Sequence, residues 1–296
     1  MEKFPKISMV TACYNHRNYI AETIESILAQ NYPNLQYVVI DDGSTDGSWE
    51  VIKKYQNRLS HCERLEGYRK TPTIALNRGF ALTDGEIMGW LNSDDILLPK
   101  SLFTIADIFR DNPGVEWFTG MATTINYASK IVDSRLNPKN KFDFLADNWQ
   151  TIQQESTFWK RSLWERAGGK LIEDDDFGAF DTELWTRFFK YAEHYNVRAP
   201  LGAFRRGQQS QSGKNPASFL LPNKKYLDKM AAAADQKSKN VARLYRVFLK
   251  FAFILRAIPS RAMLKIPFFK KISYKILGYS FSRQSWETEQ ANPFKF

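Results

Sequence analysis

Strand-like and helix-like segments alternate at short, regular intervals through the first 110 residues, and this alternation narrows the accessible folds more than any other feature. Residues 6–12 (KISMVTA) form a short apolar strand. Residues 18–30 place Ile20, Ile24, Ile27 and Leu28 at helical spacing. Residues 37–40 (YVVI) carry the β-branched and aromatic side chains of a buried strand. The turn DGSTDG, from Asp42 to Gly47, leads into a helix over 49–55, with Ser44 and Asp46 as N-cap candidates. A helix over 73–81, a strand over 86–91 and a helix over 99–109 follow. This order predicts an α/β fold: a doubly wound, mostly parallel, Rossmann-like sheet with helices on both faces. Further along, two strands are expected within 115–132, a strand over 155–159 and a helix over 162–167. An amphipathic helix is expected over 181–195, and mostly helix beyond Pro222.

In open α/β sheets, ligands bind beyond the carboxyl ends of the strands. Two acidic clusters lie at such ends. Asp41 and Asp42 follow YVVI, and Asn92, Ser93, Asp94 and Asp95 follow the strand that ends at Leu91. Adjacent carboxylates repel, so each cluster implies a neutralising cation or hydrogen-bond donors. Oxygen-only ligands suit Mg²⁺ or Mn²⁺, ions that commonly bridge to substrate phosphates. The structural alternative is capping of the next helix by Asp94 or Asp95.

Several other chemistries are excluded. Asp42, Ser44, Asp46 and Gly47 mimic the start of an EF-hand, but its twelfth position is Lys53, where calcium needs a glutamate. Asp176-Phe177-Gly178 spells a kinase signature with no accompanying Gly-rich loop or HRD, and 173–176 reads as a solvated loop. No G-x-G-x-x-G follows the first strand. Cys13 and Cys62 cannot build a disulfide framework, and with three scattered histidines they offer no structural zinc site. The amino-terminal segment lacks a secretory h-region, and no apolar stretch reaches the roughly 18–20 residues of a membrane span. A cytoplasmic location is therefore expected, with peripheral attachment at the inner face of the plasma membrane as an extension of it.

The net charge of +10 is unevenly placed. Residues 236–286 hold 12 Lys or Arg and no Asp or Glu, which leaves the rest of the chain at −2. Residues 241–258 and 263–277 combine Phe, Leu and Ile with these cations. That composition suits interfacial helices on an anionic membrane. Packing against the main body, with the cations snorkelling to water, is the second reading. Nucleic acid is not expected as a partner, because no recognised module is present and the body is not basic.

Taken in order, six segments resemble family 2 glycosyltransferases, inverting enzymes with the GT-A fold. They are VTACYN (10–15), VVIDDGSTDGS (38–48), LNRGF (76–80), WLNSDD (90–95), QQESTFWKRSLWERAGG (153–169) and FDTELWTRFF (180–189). The resemblance implies a catalytic domain over 1–220, split into a nucleotide-sugar-binding half (1–100) and an acceptor-binding half (101–220). A basic, amphipathic helical extension occupies 221–296. It also implies a nucleotide-diphosphate sugar donor and a glycan or lipid-linked acceptor. Thr11, Ala12 and Tyr14 would cradle the nucleotide, and Asp42 would accept a hydrogen bond from its base. Uracil is favoured, and guanosine or thymidine donors stay open.

Asn92-Ser93-Asp94 occupies the D-x-D position of the family, with Asn in place of the commoner first Asp. The Asn amide oxygen can still accept from a sugar or ribose hydroxyl. Asp94 would touch the divalent cation, Mn²⁺ or Mg²⁺, which bridges the donor diphosphate. Asp181 matches the general base that removes a proton from the acceptor hydroxyl, with Glu183 as its rival. Glu155, Ser156 and Trp185 would lie on the acceptor side, although aromatics at the spacing of Trp185, Phe188 and Phe189 usually pack in cores. Arg69, Arg205 and Arg206 would contact the diphosphate, since a guanidinium donates two bonds to phosphate. No Q-x-x-R-W motif of the processive members is present, which implies transfer of single sugars. A non-catalytic relative that binds a nucleotide-sugar or a glycan is the alternative, kept open by Asn92 and by the altered loop at 70–73. A glycoside hydrolase would need neither phosphate nor metal ligands, so the strand-end clusters argue against it.

Overall fold

The computed structural model describes residues 4–66, 71–148, 151–173, 179–206 and 216–296, the last range as backbone alone up to residue 222. In chain order the elements are β1 (Ile7–Cys13), α1 (Ile20–Leu28), β2 (Leu35–Asp41), α2 (Ser48–Lys53), β3 (His61–Arg64), α3 (Thr73–Ala81) and β4 (Ile87–Trp90). Next come β5 (Ile96–Leu97), α4 (Ser101–Asp111), β6 (Trp117–Thr119), β7 (Ala122–Ile125), β8 (Ile131–Arg135) and α5 (Lys141–Leu145). A 3₁₀ turn (Gln154–Ser156) precedes β9 (Thr157–Lys160), α6 (Arg161–Arg166), α7 (Phe180–Tyr191), β10 (Tyr195–Val197) and β11 (Gly202–Arg205). The remainder is α8 (Pro216–Ala233), α9 (Gln236–Leu249), α10 (Ala252–Leu255), α11 (Ser260–Met263), α12 (Pro267–Ile272), β12 (Tyr274–Ser280) and β13 (Ser285–Ala291).

A nine-stranded sheet in the order β13-β12-β10-β6-β9-β4-β1-β2-β3 forms the centre. Strands β3, β2, β1 and β4 are parallel neighbours. β9 then runs antiparallel to both β4 and β6, and β6, β10 and β12 are again parallel to one another. Both faces are buried, as a doubly wound sheet requires. Ile7 and Met9 enter one core with Ile20, Ile24 and Tyr37. Val10 enters the other with Leu76, Phe80, Trp90, Trp159 and Trp185. Helix α3 lies so close to β1 that a Cβ on Gly79 would stand 2.4 Å from Val10 Cγ1. A second sheet, β5-β11-β7-β8, packs at the edge of the site.

Several local expectations are corrected. The region 115–132 begins three strands rather than two, because β7 and β8 pair as a hairpin outside the main sheet. Glu155 and Ser156 belong to the 3₁₀ turn, and the strand begins at Thr157. Helix α7 stops at Tyr191, since Tyr195 pairs with Phe118 in β10. Neither Asp94 nor Asp95 caps α4, whose N-cap is Lys100.

The carboxy-terminal region is helical only as far as Ile272. Beyond it, β12 pairs in parallel with β10, and β13 closes the sheet edge as an antiparallel hairpin. The expected interfacial segment over 263–277 is therefore largely inward-facing: Met263, Phe269, Ile272, Tyr274, Ile276 and Leu277 are buried. A buried carboxylate pins this region to the body. Asp143 in α5 accepts from Tyr245 Oη at 2.9 Å and Tyr274 Oη at 3.2 Å, and from the Asn140 backbone N–H at 2.9 Å. Among the described residues, no helix is long and apolar enough to cross a membrane.

Candidate active site

Parallel register brings the loops after β1, β2 and β4 to one end of the sheet. Cys13 pairs with Asp41, and Val10 with Trp90, so Tyr14, Asp42 and the NSDD turn emerge side by side. The first two loops are stitched together. Ser44 Oγ accepts from the Asn15 N–H at 3.0 Å, Ser48 Oγ from the His16 N–H at 3.0 Å, and Asp46 Oδ2 from the Arg17 N–H at 3.0 Å. Asn15 Oδ1 accepts from the Thr45 N–H at 2.8 Å. The N-cap of α2 is Gly47 at φ 94°, a left-handed position natural to glycine. Ser44 and Asp46 thus hold the loop, although Asp46 Oδ1 also accepts from the Ser48 N–H at 2.9 Å.

Asp41 is fully buried. It accepts from the Ser44 N–H at 3.1 Å and lies 3.3 Å from Arg64 Nε. Burial raises its carboxyl above the ordinary value, opposed by Ser44 and Arg64. Asp42 is also buried, and its N–H donates to the Cys13 carbonyl at 2.8 Å. Thr11, expected to face the nucleotide, points into the sheet: its hydroxyl meets Tyr37 Oη at 2.9 Å. Ala12 and Tyr14 are partly accessible at the strand end.

Within the NSDD turn the four side chains have separate tasks. Asn92 Nδ2 donates to Asp95 Oδ2 at 3.2 Å. Ser93 Oγ meets His16 Nδ1 at 2.7 Å. Asp94 is partly exposed, 4.0 Å from His16 Nδ1. Asp95 is fully buried and accepts from the Arg205 N–H at 2.8 Å. Burial, with Asp94 and Glu155 nearby, holds the Asp95 carboxyl well above its usual value.

Arg205 departs from expectation. Its buried guanidinium donates to the Asp94 carbonyl (2.7 Å), the Asn126 carbonyl (3.1 Å), Ser129 Oγ (3.0 Å) and Glu22 Oε2 (2.7 Å). It also lies over the Tyr19 ring at 5.0 Å. With four of its five N–H donors on protein acceptors, Arg205 clamps the NSDD turn, and the expectation that it serves as a diphosphate ligand is corrected. Arg206 is exposed just beyond β11. Arg69 and Lys70, and residues 174–178 with most of the acidic run, lie outside the described residues.

Because β9 is antiparallel to β4, its amino end shares the site with the carboxyl ends of the parallel strands. Gln154 Nε2 donates to the Trp90 carbonyl at 2.5 Å and fixes the 3₁₀ turn there. Ser156 Oγ bonds the Gly202 N–H and carbonyl, both at 3.1 Å. Gly202 is required, because a Cβ there would stand 2.0 Å from the Glu155 carbonyl oxygen. Glu155 is 5% exposed, and among the described residues its Oε1 has no hydrogen-bond partner. Burial, with the charge of Asp181 added, pushes its carboxyl up to about 7.

Asp181 is the second residue of α7 and not its N-cap, which is Ala179. Burial raises the Asp181 carboxyl to about 6, against the pull of the Thr182 N–H, which donates to Oδ1 at 2.6 Å. That value lets it take up a proton near neutrality. Glu183, its rival, is held by Arg187 through bonds of 2.9, 3.0 and 2.7 Å. Trp185 is fully buried and stacks on Trp90 at 5.7 Å and Trp117 at 5.6 Å. It belongs to the core, so the acceptor-side expectation for it is corrected.

Sequence reasoning did not single out Glu22, Arg64 or His16 for the site. Only Asp95 carried a signal, as the fourth residue of the second acidic cluster. The site is thus a row of carboxylates: Asp41 and Asp42 at the end of β2, Asp94 and Asp95 after β4 on the far side of β1, then Glu155 and Asp181. Among the described residues, no three His, Cys, Asp or Glu side chains gather closely enough to hold a metal ion unaided.

Known proteins share both sequence and architecture with this chain. An uncharacterized glycosyltransferase of Nostoc sp. is 34% identical over 170 residues, 57% of this chain and 44% of the relative. The Escherichia coli protein WfaP, named as a UDP-Glc:α-D-GlcNAc-diphosphoundecaprenol β-1,3-glucosyltransferase, is 34% identical over 89 residues, 30% of this chain and 35% of its own length. The chain thus aligns with less than half the length of these relatives. The crystal structure of Staphylococcus aureus TarS 1-349 in complex with UDP-GlcNAc superposes with a TM-score of 0.61 at 16% identity, covering 90% of this chain and 80% of that one. The mannosyltransferase PcManGT of Pyrobaculum calidifontis, in complex with GDP-Man and Mn²⁺, superposes with a TM-score of 0.53 at 18% identity, covering 85% and 81%. At such identities the likeness establishes a common fold, the one expected from the six segments. Residues 8–176, more than half of the chain, match the model of glycosyl transferase family 2, and the chain belongs to that family.

Proposed function

We propose that this chain transfers a single sugar from a UDP-sugar to a glycan or lipid-linked acceptor, by direct displacement with inversion. The observation that carries the reading is the row of carboxylates at one end of the sheet, with Asp94 accessible and Asp181 tuned to about 6. Asp42 would receive the imide N–H of uracil, and Tyr14 would border the nucleotide. Asp181 would take the acceptor hydroxyl proton as its oxygen attacks the anomeric carbon. Glu155 is buried, its Oε1 has no hydrogen-bond partner among the described residues, and it would accept a hydrogen bond from an incoming hydroxyl.

The donor set fits a hard divalent cation. Asn92 gives its amide N–H to Asp95, and Asp95 accepts from Arg205, so among the carboxylates of this turn Asp94 would hold Mn²⁺ or Mg²⁺, with the Asn92 amide oxygen left for a sugar or ribose hydroxyl. The other ligands would be diphosphate oxygens and water, as is common for such ions. When bound, the cation offsets the charge of the departing diphosphate. The TarS and PcManGT complexes, with UDP-GlcNAc and with GDP-Man and Mn²⁺, support a nucleotide-sugar donor and a metal. The name of WfaP supports a lipid-linked acceptor.

The test is incorporation of label from UDP-sugars into lipid-extractable and polymeric fractions, with wild type and Asp181→Asn compared. Label transferred by wild type and lost in the variant supports the reading. UDP-sugar binding with no transfer by either protein would favour a non-catalytic relative, the reading that Asn92 at the D-x-D position keeps open.

A further inference from the structure

We propose that the outer face of the carboxy-terminal helices docks on an anionic lipid bilayer, with the chain lying on the membrane rather than crossing it. The inner face of these helices is already occupied. Ala242, Tyr245, Leu255, Met263 and Phe269 pack with Phe142 and Leu145 of α5. The outer face has no such cover among the described residues. Leu244, Val247, Phe251, Phe253, Ile254 and Ile258 are exposed, with Phe253 at 89% and Ile254 at 65%. Phe253 and Ile254 sit on the short helix α10, between α9 and the Pro259 break, and form the tip of the patch.

Charge selects the occupant. Exposed Arg243, Lys250, Arg261 and Lys265 flank the apolar residues in sequence, and no acidic side chain occurs over 236–286. A second copy paired patch to patch would set these cations against one another. A negatively charged lipid surface satisfies them while taking up the aromatic tip. The surface is narrower than composition suggests. Arg246 and Arg256 are tied to the Ala146 and Phe294 carbonyls, and most apolar residues beyond Ile266 turn inward.

The proposal does not depend on sugar transfer, and its test uses none. The whole chain is sedimented with vesicles of phosphatidylglycerol and phosphatidylcholine, and with phosphatidylcholine alone. Binding should require the anionic lipid and weaken with salt. The double variant Phe253→Ser/Ile254→Ser should bind about tenfold more weakly with unchanged melting temperature, since neither side chain contributes to the core. Lys250→Gln/Arg261→Gln/Lys265→Gln should lose the preference for anionic lipid. Absence of binding by folded wild type, or binding unchanged in the Phe253/Ile254 variant, would overturn the proposal. So would a dimer, seen by sedimentation velocity without vesicles and dissolved by the same variant, because the patch would then belong to a second copy.

Discussion

At the scale of single residues, Asp181 as the proposed base has an environment with three measurable consequences. Asp181→Asn should lower kcat about 100- to 10,000-fold and leave nucleotide affinity unchanged. The pH profile should rise through about 6 and then level, because only the deprotonated carboxylate accepts a proton. Stability has the opposite sign. The folded-state value is above the ordinary 3.8, so the folded chain holds this proton more tightly than the unfolded chain, and stability falls as pH climbs from about 4 to about 6. Above that window Asp181→Asn should therefore be more stable than wild type, by up to about 3 kcal/mol at roughly 1.4 kcal/mol per pH unit, and should melt at a higher temperature. Scanning calorimetry at pH 5 and pH 8 checks this, and equal melting at both would contradict the burial of the carboxyl. Trp185 behaves as a core residue in this fold. Trp185→Ala should cost about 3–5 kcal/mol of stability rather than act on the acceptor alone, as urea unfolding would show.

The next scale is that of elements held against one another, where the decisive contact joins β11 to the NSDD turn. Arg205 reaches Asp94, Asp95, Asn126, Ser129 and Glu22 from the end of one strand. Arg205→Gln should cost about 2–4 kcal/mol, since it leaves the Asp94 carbonyl and Glu22 without their charged donor. It should also weaken Mn²⁺-dependent nucleotide binding, because the turn that carries Asp94 is no longer fixed. Gly202→Ala should be more damaging, for its Cβ would collide with the Glu155 backbone. This scale also sets how much was legible in advance. Strands β1, β2 and β4 announced themselves as near-continuous apolar runs buried on both faces, and helices α1, α3, α4 and α7 by the periodic apolar face that each buries. β3, β5, β10 and β11 are two to four residues long, and such segments acquire their conformation only from neighbours already in place. The strand-end carboxylates were legible for a related reason, since local sequence sets them at turns. The clamp by Arg205 is not local. It spans 110 positions to Asp95, and an arginine read in isolation suggests phosphate as readily as a carbonyl.

For the whole molecule, the carboxy-terminal region is part of the same body. Its hairpin extends the central sheet, and Asp143 binds it through Tyr245 and Tyr274. A short apolar run such as 276–277 is ambiguous between helix and strand until an open sheet edge receives it, which is why 263–277 read as helix. Tyr245→Phe should cost about 1.5–3 kcal/mol, the usual contribution of a hydrogen bond to a buried charged group, and leave nucleotide affinity intact. A loss of both would mean that this junction also shapes the site. One end of the sheet is the proposed site for a nucleotide diphosphate, held through Asp94 and a divalent cation. Calorimetric titration of UDP, with and without Mn²⁺, into wild type, Asp94→Asn and Asp181→Asn tests it most directly. The expected result is Mn²⁺-dependent binding that Asp94→Asn loses and Asp181→Asn retains. Failure of folded wild type to bind UDP with Mn²⁺, or binding indifferent to Asp94, would contradict it.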